Sequence, residues 1–330
     1  MELLLVGCHV EGVRKRSAPE FFALAGTVVL WACAFPAIRV GVAGLGLAAL
    51  SFLRLAVAAV ALLAMSPFAA VRLPRRRDLP LIALCGLTGM TAYQVLLNWG
   101  EVHVAAGTAS LLIAIAPVFS VLLASAFLSE PLTRNVVFGS LIAIAGTAVV
   151  TLARGYAGFS AASLVVLAAA VVQGVYHFAS KPLLRYYSGL EVATYAMVAG
   201  TVFALPLAPE AAKATAGAPP DALWSAVFLG LLPSALGFVI WGYAVARLPL
   251  AASTAALYLV PPVALVVSFV WLGERPLPLE LAGGAVTVAG VVLINRRRTR
   301  RRGPAAYATA RPPAASAHAG PDPRTTPQRH

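Results

Sequence analysis

Charge is scarce in this chain. Only 11% of its 330 residues are Asp, Glu, Lys or Arg, where a soluble domain carries roughly a quarter. Acidic residues are scarcest, 12 against 25 basic, and all of them fall in loops, tails or the ends of apolar runs. A proton path built on a buried midplane carboxylate is therefore not visible, and uniport, exchange, or coupling through His177, Glu101 or Glu191 stay open. The three cysteines (Cys8, Cys33, Cys85) show no CxxC spacing, which excludes a disulfide or zinc framework. Clustered carboxylates for magnesium, Cys/His ligand sets and a Ser/His or paired-Asp centre are absent as well, which argues against an intramembrane transferase or protease. No catalytic residue, metal or cofactor is expected. The N-terminal stretch "MELLLVGCHVEGVRKR" has its short apolar run ahead of the basic cluster and no cleavage site, so it is a poor signal peptide.

What is present is apolar surface in long blocks. Hydrophobic residues make up 60% of the chain and the mean hydropathy is +0.85. Runs such as "SLLIAIAPVFSVLLASAF" (110–127) reach the length at which a transmembrane helix becomes the default reading. Ten spans are expected, at 20–38, 46–66, 79–99, 106–128, 135–153, 160–180, 189–208, 222–245, 250–272 and 278–295. Helices rather than strands follow from block length and from the need to satisfy every backbone group inside lipid. The fold class is thus an all-α integral membrane protein whose short connections make neighbouring helices antiparallel.

The net charge of +13 does not point to nucleic acid, because its distribution follows the spans. Ten of the 25 basic residues lie at 72–77 and 296–302, each cluster against the end of an apolar block. With a cytoplasmic N-terminus, twenty basic residues face the cytoplasm, four (Arg39, Arg154, Lys213, Arg275) face the other side, and Arg54 lies inside a span. That bias predicts both termini in the cytoplasm. Residues 1–19 form a short cytoplasmic segment. Residues 296–330 form a basic tail, and the stretch 303–330, rich in Ala, Pro, Arg and Thr, is expected to be disordered. The heavy use of Ala, Val and Arg suits a GC-rich bacterial source, and with it the cell membrane.

Two apolar blocks stop alike, at "LSEPLT" (128–133) and "LGERPLP" (272–278). A shift of 144 residues places Glu130 on Glu274, Pro117 on Pro261, Gly139 on Gly283 and Gly146 on Gly290, while "WACAFPAIR" (31–39) pairs more weakly with "QGVYHFASK" (173–181) at 142. Each half then holds five spans, 20–153 and 160–295. Because five is odd, the second half is inverted relative to the first, as in many secondary transporters. A signalling or scaffold protein would require no such repeat. Glu130 with Pro131 and Glu274 with Pro276 mark equivalent helix ends on opposite faces. Each proline ends its helix, and each carboxylate suits the N-terminus of the next; a role in coupling is the alternative.

The repeat resembles the EamA-like family of the drug/metabolite transporter superfamily. The motifs that carry the resemblance are "ASLLIAIAPVFSVLLASAFLSEPLT", "AASTAALYLVPPVALVVSFVWLGERP" and the arginine of "SFLRLAVAA". The resemblance covers about residues 20–295 and departs from the family pattern at Arg275, which separates Glu274 from Pro276. It implies ten helices in two inverted five-helix repeats, and export or exchange of small metabolites, often amino acids or related compounds. Efflux of lipophilic or cationic drugs is the alternative.

Candidates for substrate binding or translocation are polar, aromatic or helix-breaking residues inside spans. Pro117 and Pro261 are expected to kink spans four and nine near the midplane, each freeing a carbonyl toward a cavity or a packing partner; Tyr258 lies one turn from the second break. Arg54, about 12 Å from the outer end of span two, is costly in lipid without a partner or water. It has two readings, an anion contact or gate, and a structural arginine satisfied by carbonyls or snorkelling outward. Tyr93, Gln94 and Asn98 belong to span three. Gln173, Tyr176 and His177 share one face of span six and read as a cavity wall, although His177 is expected near the cytoplasmic end, where a solvated histidine is ordinary. Trp241 joins the candidates, although Trp99, Trp241 and Tyr243 are expected near interfaces, where aromatic residues anchor helices. Gly139, Gly146, Gly283 and Gly290 read as helix-packing glycines, within one chain or in a homodimer. The expected partners are a small-molecule substrate and the lipid bilayer.

Overall fold

The computed structural model describes residues 18–103, 112–153, 161–272 and 275–295. Glu274, the first part of the fourth expected span and the basic tail lie outside them. Every regular element among the described residues is helical. The first half contains α1 (Ala18–Leu45), α2 (Leu47–Met65), α3 (Leu79–Cys85), α4 (Tyr93–His103), α5 (Ala116–Phe127) and α6 (Arg134–Leu152). The second contains α7 (Ala161–Leu183), α8 (Gly189–Phe203), α9 (Ala208–Ala216), α10 (Pro220–Leu229), α11 (Gly237–Arg247), α12 (Leu250–Thr254), α13 (Val260–Leu272) and α14 (Pro278–Asn295). The turn between α1 and α2 is a single residue, Gly46, with φ of 77°, a conformation that disfavours a side chain.

Among the described residues, seven helical stretches are long and apolar enough to cross a bilayer: Ala18–Leu45, Leu47–Met65, Arg76–Gly100, Ala162–Leu183, Pro220–Arg247, Leu250–Val267 and Pro278–Asn295. Gly189–Phe203 and Leu205–Ala216 pass the same test together but meet at 51°. Pro206 and Pro209 sit at that bend and lack the N–H groups a continuous helix would need. Ala116–Phe127 and Arg134–Val149 are shorter apolar helices. Large apolar side chains such as Phe21, Phe22, Phe138, Leu141, Leu164, Leu279 and Leu281 point outward and are exposed. A soluble protein would not display so many; lipid accepts them. The chain is a multi-pass membrane protein.

Two segments depart from α geometry in a related way. The backbone widens into a π-helical turn at Gly86–Ala92, between α3 and α4, and again at Gly230–Leu236, between α10 and α11. The two turns begin 144 residues apart. Both start at a glycine where another helix comes close. A Cβ on Gly86 would lie 2.8 Å from the amide nitrogen of Gly200, and one on Gly230 would lie 2.9 Å from the carbonyl of Arg54.

The most extensive helix pair is α6 against α14. A Cβ on Gly139 would lie 2.8 Å from the carbonyl of Gly290, and one on Gly146 would lie 2.7 Å from that of Gly283. The earlier glycine of one helix thus meets the later glycine of the other, so the two helices run antiparallel. Thr287 donates to Gly283 O at 3.0 Å, within its own helix, and Thr147 of the facing helix donates in the same way to Ala143 O at 3.0 Å.

The loop between α2 and α3 is tied to the start of α8. Glu191 and Ser188 form a reciprocal capping box, and Arg72 pairs with Glu191 at 2.7 Å while also donating to Tyr186 O at 2.8 Å. That carboxylate holds the Arg72 guanidinium above the usual arginine range. Tyr187 Oη donates to Asp78 at 2.7 Å, and Tyr195 Oη donates to the carbonyl of Arg72.

Several expectations are corrected. Pro117 and Pro261 open new α-helical turns rather than sitting in mid-helix: α5 begins at Ala116, and α13 begins at Val260 after a 3₁₀ turn, Ala255–Leu259, within the helical stretch Leu250–Val267. Each proline therefore stands in a first turn, where its missing N–H costs little. Glu130 does not serve the helix that follows it. Thr133 caps that helix by accepting from Val136 N, while the Glu130 carboxylate accepts from Leu250 N at 2.9 Å, at the start of α12. His177 and Trp241 are fully buried, so His177 is not solvated and Trp241 is not an interfacial anchor.

Candidate functional site

The spans enclose a cavity with about 780 Å³ of space not filled by atoms, open solvent included. Its walls come from both halves at equivalent positions. Trp31 and Gln173 line it, as do Phe35 and His177, each pair 142 residues apart. Gln94 and Phe238, Ile113 and Leu257, and Pro117 and Pro261 line it at a separation of 144. Side chains of one half thus face their counterparts across a shared space.

The counterparts differ in chemistry. Trp31 and Phe35 of the first half stand against Gln173 and His177 of the second, whereas Gln94 of the first stands against Phe238 of the second. The cavity is consequently part aromatic and part polar, and among the described residues Arg54 is the one charged residue in its lining.

Arg54 is 3% exposed. Its Nε and Nη2 donate to Ser234 Oγ at 3.3 and 3.2 Å. Nη1 is buried and has no partner among the described residues. Ser234 belongs to the second π-helical turn, and its neighbour Pro233 accepts from Trp31 Nε1 at 3.0 Å. The turn therefore orients a cationic and an aromatic wall residue together, in keeping with the placement of such turns at functional sites.

The other polar wall is an ordered chain. Ser120 Oγ donates to Ala116 O at 3.0 Å, so its oxygen accepts from His177 Nδ1 at 3.1 Å. His177 Nε2 then accepts from Gln173 Nε2 at 3.2 Å. The ring is satisfied as the neutral Nδ1–H tautomer. Gln173 Oε1 is left over, buried without a partner among the described residues, and so is Gln94 Oε1.

The remaining candidates stand behind this wall or apart from it. Asn98, one turn from Gln94, is buried and donates to Ser51 at 2.8 Å. Tyr176 packs against the backbone of the first π-helical turn, where a Cβ on Gly89 would lie 2.3 Å from its ring. Trp241 lies between Trp31 and His177, at ring distances of 5.6 and 5.0 Å. Tyr258 is buried with Ala143 and Ile294, toward the α6–α14 pair. Trp99 stacks on His103 at 3.9 Å and Tyr243 lies under Arg247 at 3.6 Å, both at helix ends. Ser120, Ser234 and the aromatic residues of α1 were not singled out from the sequence. The shifts of 142 and 144 were the available signal, since they map Phe35 on His177 and Phe238 on Gln94.

A multi-pass helical chain whose two halves wall a common buried cavity has the architecture of a membrane transporter. The profile of the EamA-like transporter family matches residues 19–152 and again residues 160–296. The chain belongs to the EamA-like transporter family. It is 67% identical over 281 residues to a "Probable terminal-alkyne amino-acid exporter" of Streptantibioticus cattleyicolor, covering 85% of this chain and 95% of that one. It is 34% identical over 280 residues to the "Uncharacterized transporter YdfC" of Bacillus subtilis, covering 84% and 92%. A solved crystal structure with 21% identity, covering 85% of this chain and 99% of its own, superposes with a TM-score of 0.70 and bears on the fold alone. The protein is a membrane transporter with a small-molecule substrate, and not an enzyme.

Proposed function

We propose that the protein is a secondary-active exporter or exchanger of a small polar metabolite of the amino-acid type, working by alternating access around the central cavity. The observation that carries this reading is the cavity itself, walled by equivalent residues of both halves and holding a buried arginine with a free donor. The name of the relative from Streptantibioticus cattleyicolor supports the substrate class. Ten spans in two inverted five-helix repeats are the arrangement that fits. The antiparallel contact of Gly139 and Gly146 with Gly290 and Gly283 supports it, because an in-plane two-fold axis pairs equivalent helices in that sense. In this reading both termini are cytoplasmic and the protein resides in the cell membrane. Arg54, Tyr93, Gln94, Pro117, Gln173, His177 and Pro261 form the translocation site, with Asn98, Tyr176, Trp241 and Tyr258 supporting it from behind. Among the described residues the lining carries a cation and no carboxylate, which suits an anionic group better than a cationic drug.

The test compares metabolites released by cells carrying the wild type, Arg54→Ala or an empty vector. An amino-acid-like compound accumulating outside only with the wild type supports the reading. Equal release from all three, with the protein present in the membrane, overturns amino-acid export.

A further inference from the structure

Three side chains that line the cavity, each at least nine-tenths buried, carry one donor and two acceptors without a partner among the described residues: Arg54 Nη1, Gln94 Oε1 and Gln173 Oε1. Buried polar atoms are nearly always paired in folded proteins, and leaving three unpaired around one space is costly. Water or a ligand must complete them. The Gln173 acceptor is fixed by its surroundings, because its Nε2 is committed to His177 and the histidine to Ser120.

Resting on the reading of the protein as an amino-acid transporter, we propose that this cavity recognises the zwitterion of an α-amino acid with an uncharged, apolar side chain. The guanidinium of Arg54 receives the carboxylate, with Ser234 holding the guanidinium from behind. The amide oxygens of Gln94 and Gln173 receive the ammonium group. Neutral oxygens suit an ammonium that already carries its counter-charge within the same molecule, whereas a carboxylate there would favour free cations. Trp31, Phe35 and Phe238 offer a surface for the apolar side chain and no partner for a charged one. A single buried cation facing two neutral acceptors thus matches a ligand of net charge zero.

The full-length protein in lipid nanodiscs is titrated with L-norvaline, its methyl ester and its N-acetyl derivative, following tryptophan fluorescence, to which Trp31 in the wall and its neighbour Trp241 contribute, and checking by calorimetry. Norvaline is expected to bind, and both derivatives to bind about ten- to a hundredfold more weakly, as expected for the loss of one charge-assisted contact. Arg54→Gln is expected to reduce norvaline to the affinity of its ester, and Gln94→Leu with Gln173→Leu to that of the N-acetyl derivative. The derivative series on the wild type stands even where a variant fails to fold. An N-acetyl derivative that binds as well as norvaline overturns the ammonium site, and an equally tight ester overturns the Arg54 assignment. If norvaline does not bind while a lipophilic cation does, the amino-acid reading itself falls. If neither norvaline nor a lipophilic cation binds, the proposal falls and the three polar atoms are left to water alone.

Discussion

Glu130 and Leu250 are 120 residues apart, yet the carboxylate of the first accepts from the backbone nitrogen of the second at 2.9 and 3.2 Å. On the other side of the same turn, Lys181 donates to the carbonyls of Val245, at 2.5 Å, and Leu248. The end of α11 and the start of α12 are thus gripped by an acid from the connection after α5 and a base from α7. Each supplies what its helix end lacks, an acceptor for free N–H groups and a donor for free carbonyls.

Glu130→Ala is expected to lower stability by about 1–2 kcal/mol, the usual size of a lost N-terminal cap. Glu130→Gln should lose less, since one acceptor oxygen remains. Thermal unfolding in detergent, read by tryptophan fluorescence, measures both. A double-mutant cycle with Lys181→Met should show coupling, because both side chains fix the same turn.

Close helix contact separates two glycines that look alike in the sequence. A Cβ on Gly146 would lie 2.4 Å from Thr287 N, which is backbone and cannot turn aside, whereas one on Gly217 meets nothing within 4 Å. Gly146→Ala is expected to destabilise the protein by about 1–3 kcal/mol, as overpacking does, and to reduce the monodisperse fraction on size exclusion. Gly217→Ala should leave both unchanged.

Ser234 touches Arg54 through two donors and holds its guanidinium at the wall. Ser234→Ala should weaken transport severalfold at unchanged membrane level, with the loss mainly in apparent affinity, since the charge remains but its direction is released. Counterflow in proteoliposomes at varied substrate concentration separates affinity from maximal rate.

The two-sided arrangement has its own test. In a cysteine-free background, Arg76→Cys should resist a membrane-impermeant maleimide in intact cells and Thr215→Cys should react. The reverse pattern would invert the orientation, and equal reactivity would break the span count between them.

Much of this architecture was legible in the sequence because lipid imposes a simple rule: a long apolar run must become a helix. Apolar runs marked the places of the spans, and basic residues gathered at their ends in a pattern that predicts orientation. The 144-residue shift paired Gly139 with Gly283 and Gly146 with Gly290, and the helices bearing them meet in the fold. Periodicity also put Gln173 and His177 on one face of α7.

Only the tertiary structure decided which partners those residues take. Glu130 looked like a cap for the helix that follows it and instead caps one 120 residues away. His177 looked solvated from its place near a helix end, yet α5 covers it with Ser120. Tyr176 shares a face with its neighbours but is claimed by the bare backbone at Gly89. The π-helical turns carry no compositional mark, so the seating of Arg54 on Ser234 had no local signal. Propensity and hydropathy act over one helix, whereas a cap, a buried hydrogen bond and a cavity wall are settled by whichever helix arrives opposite.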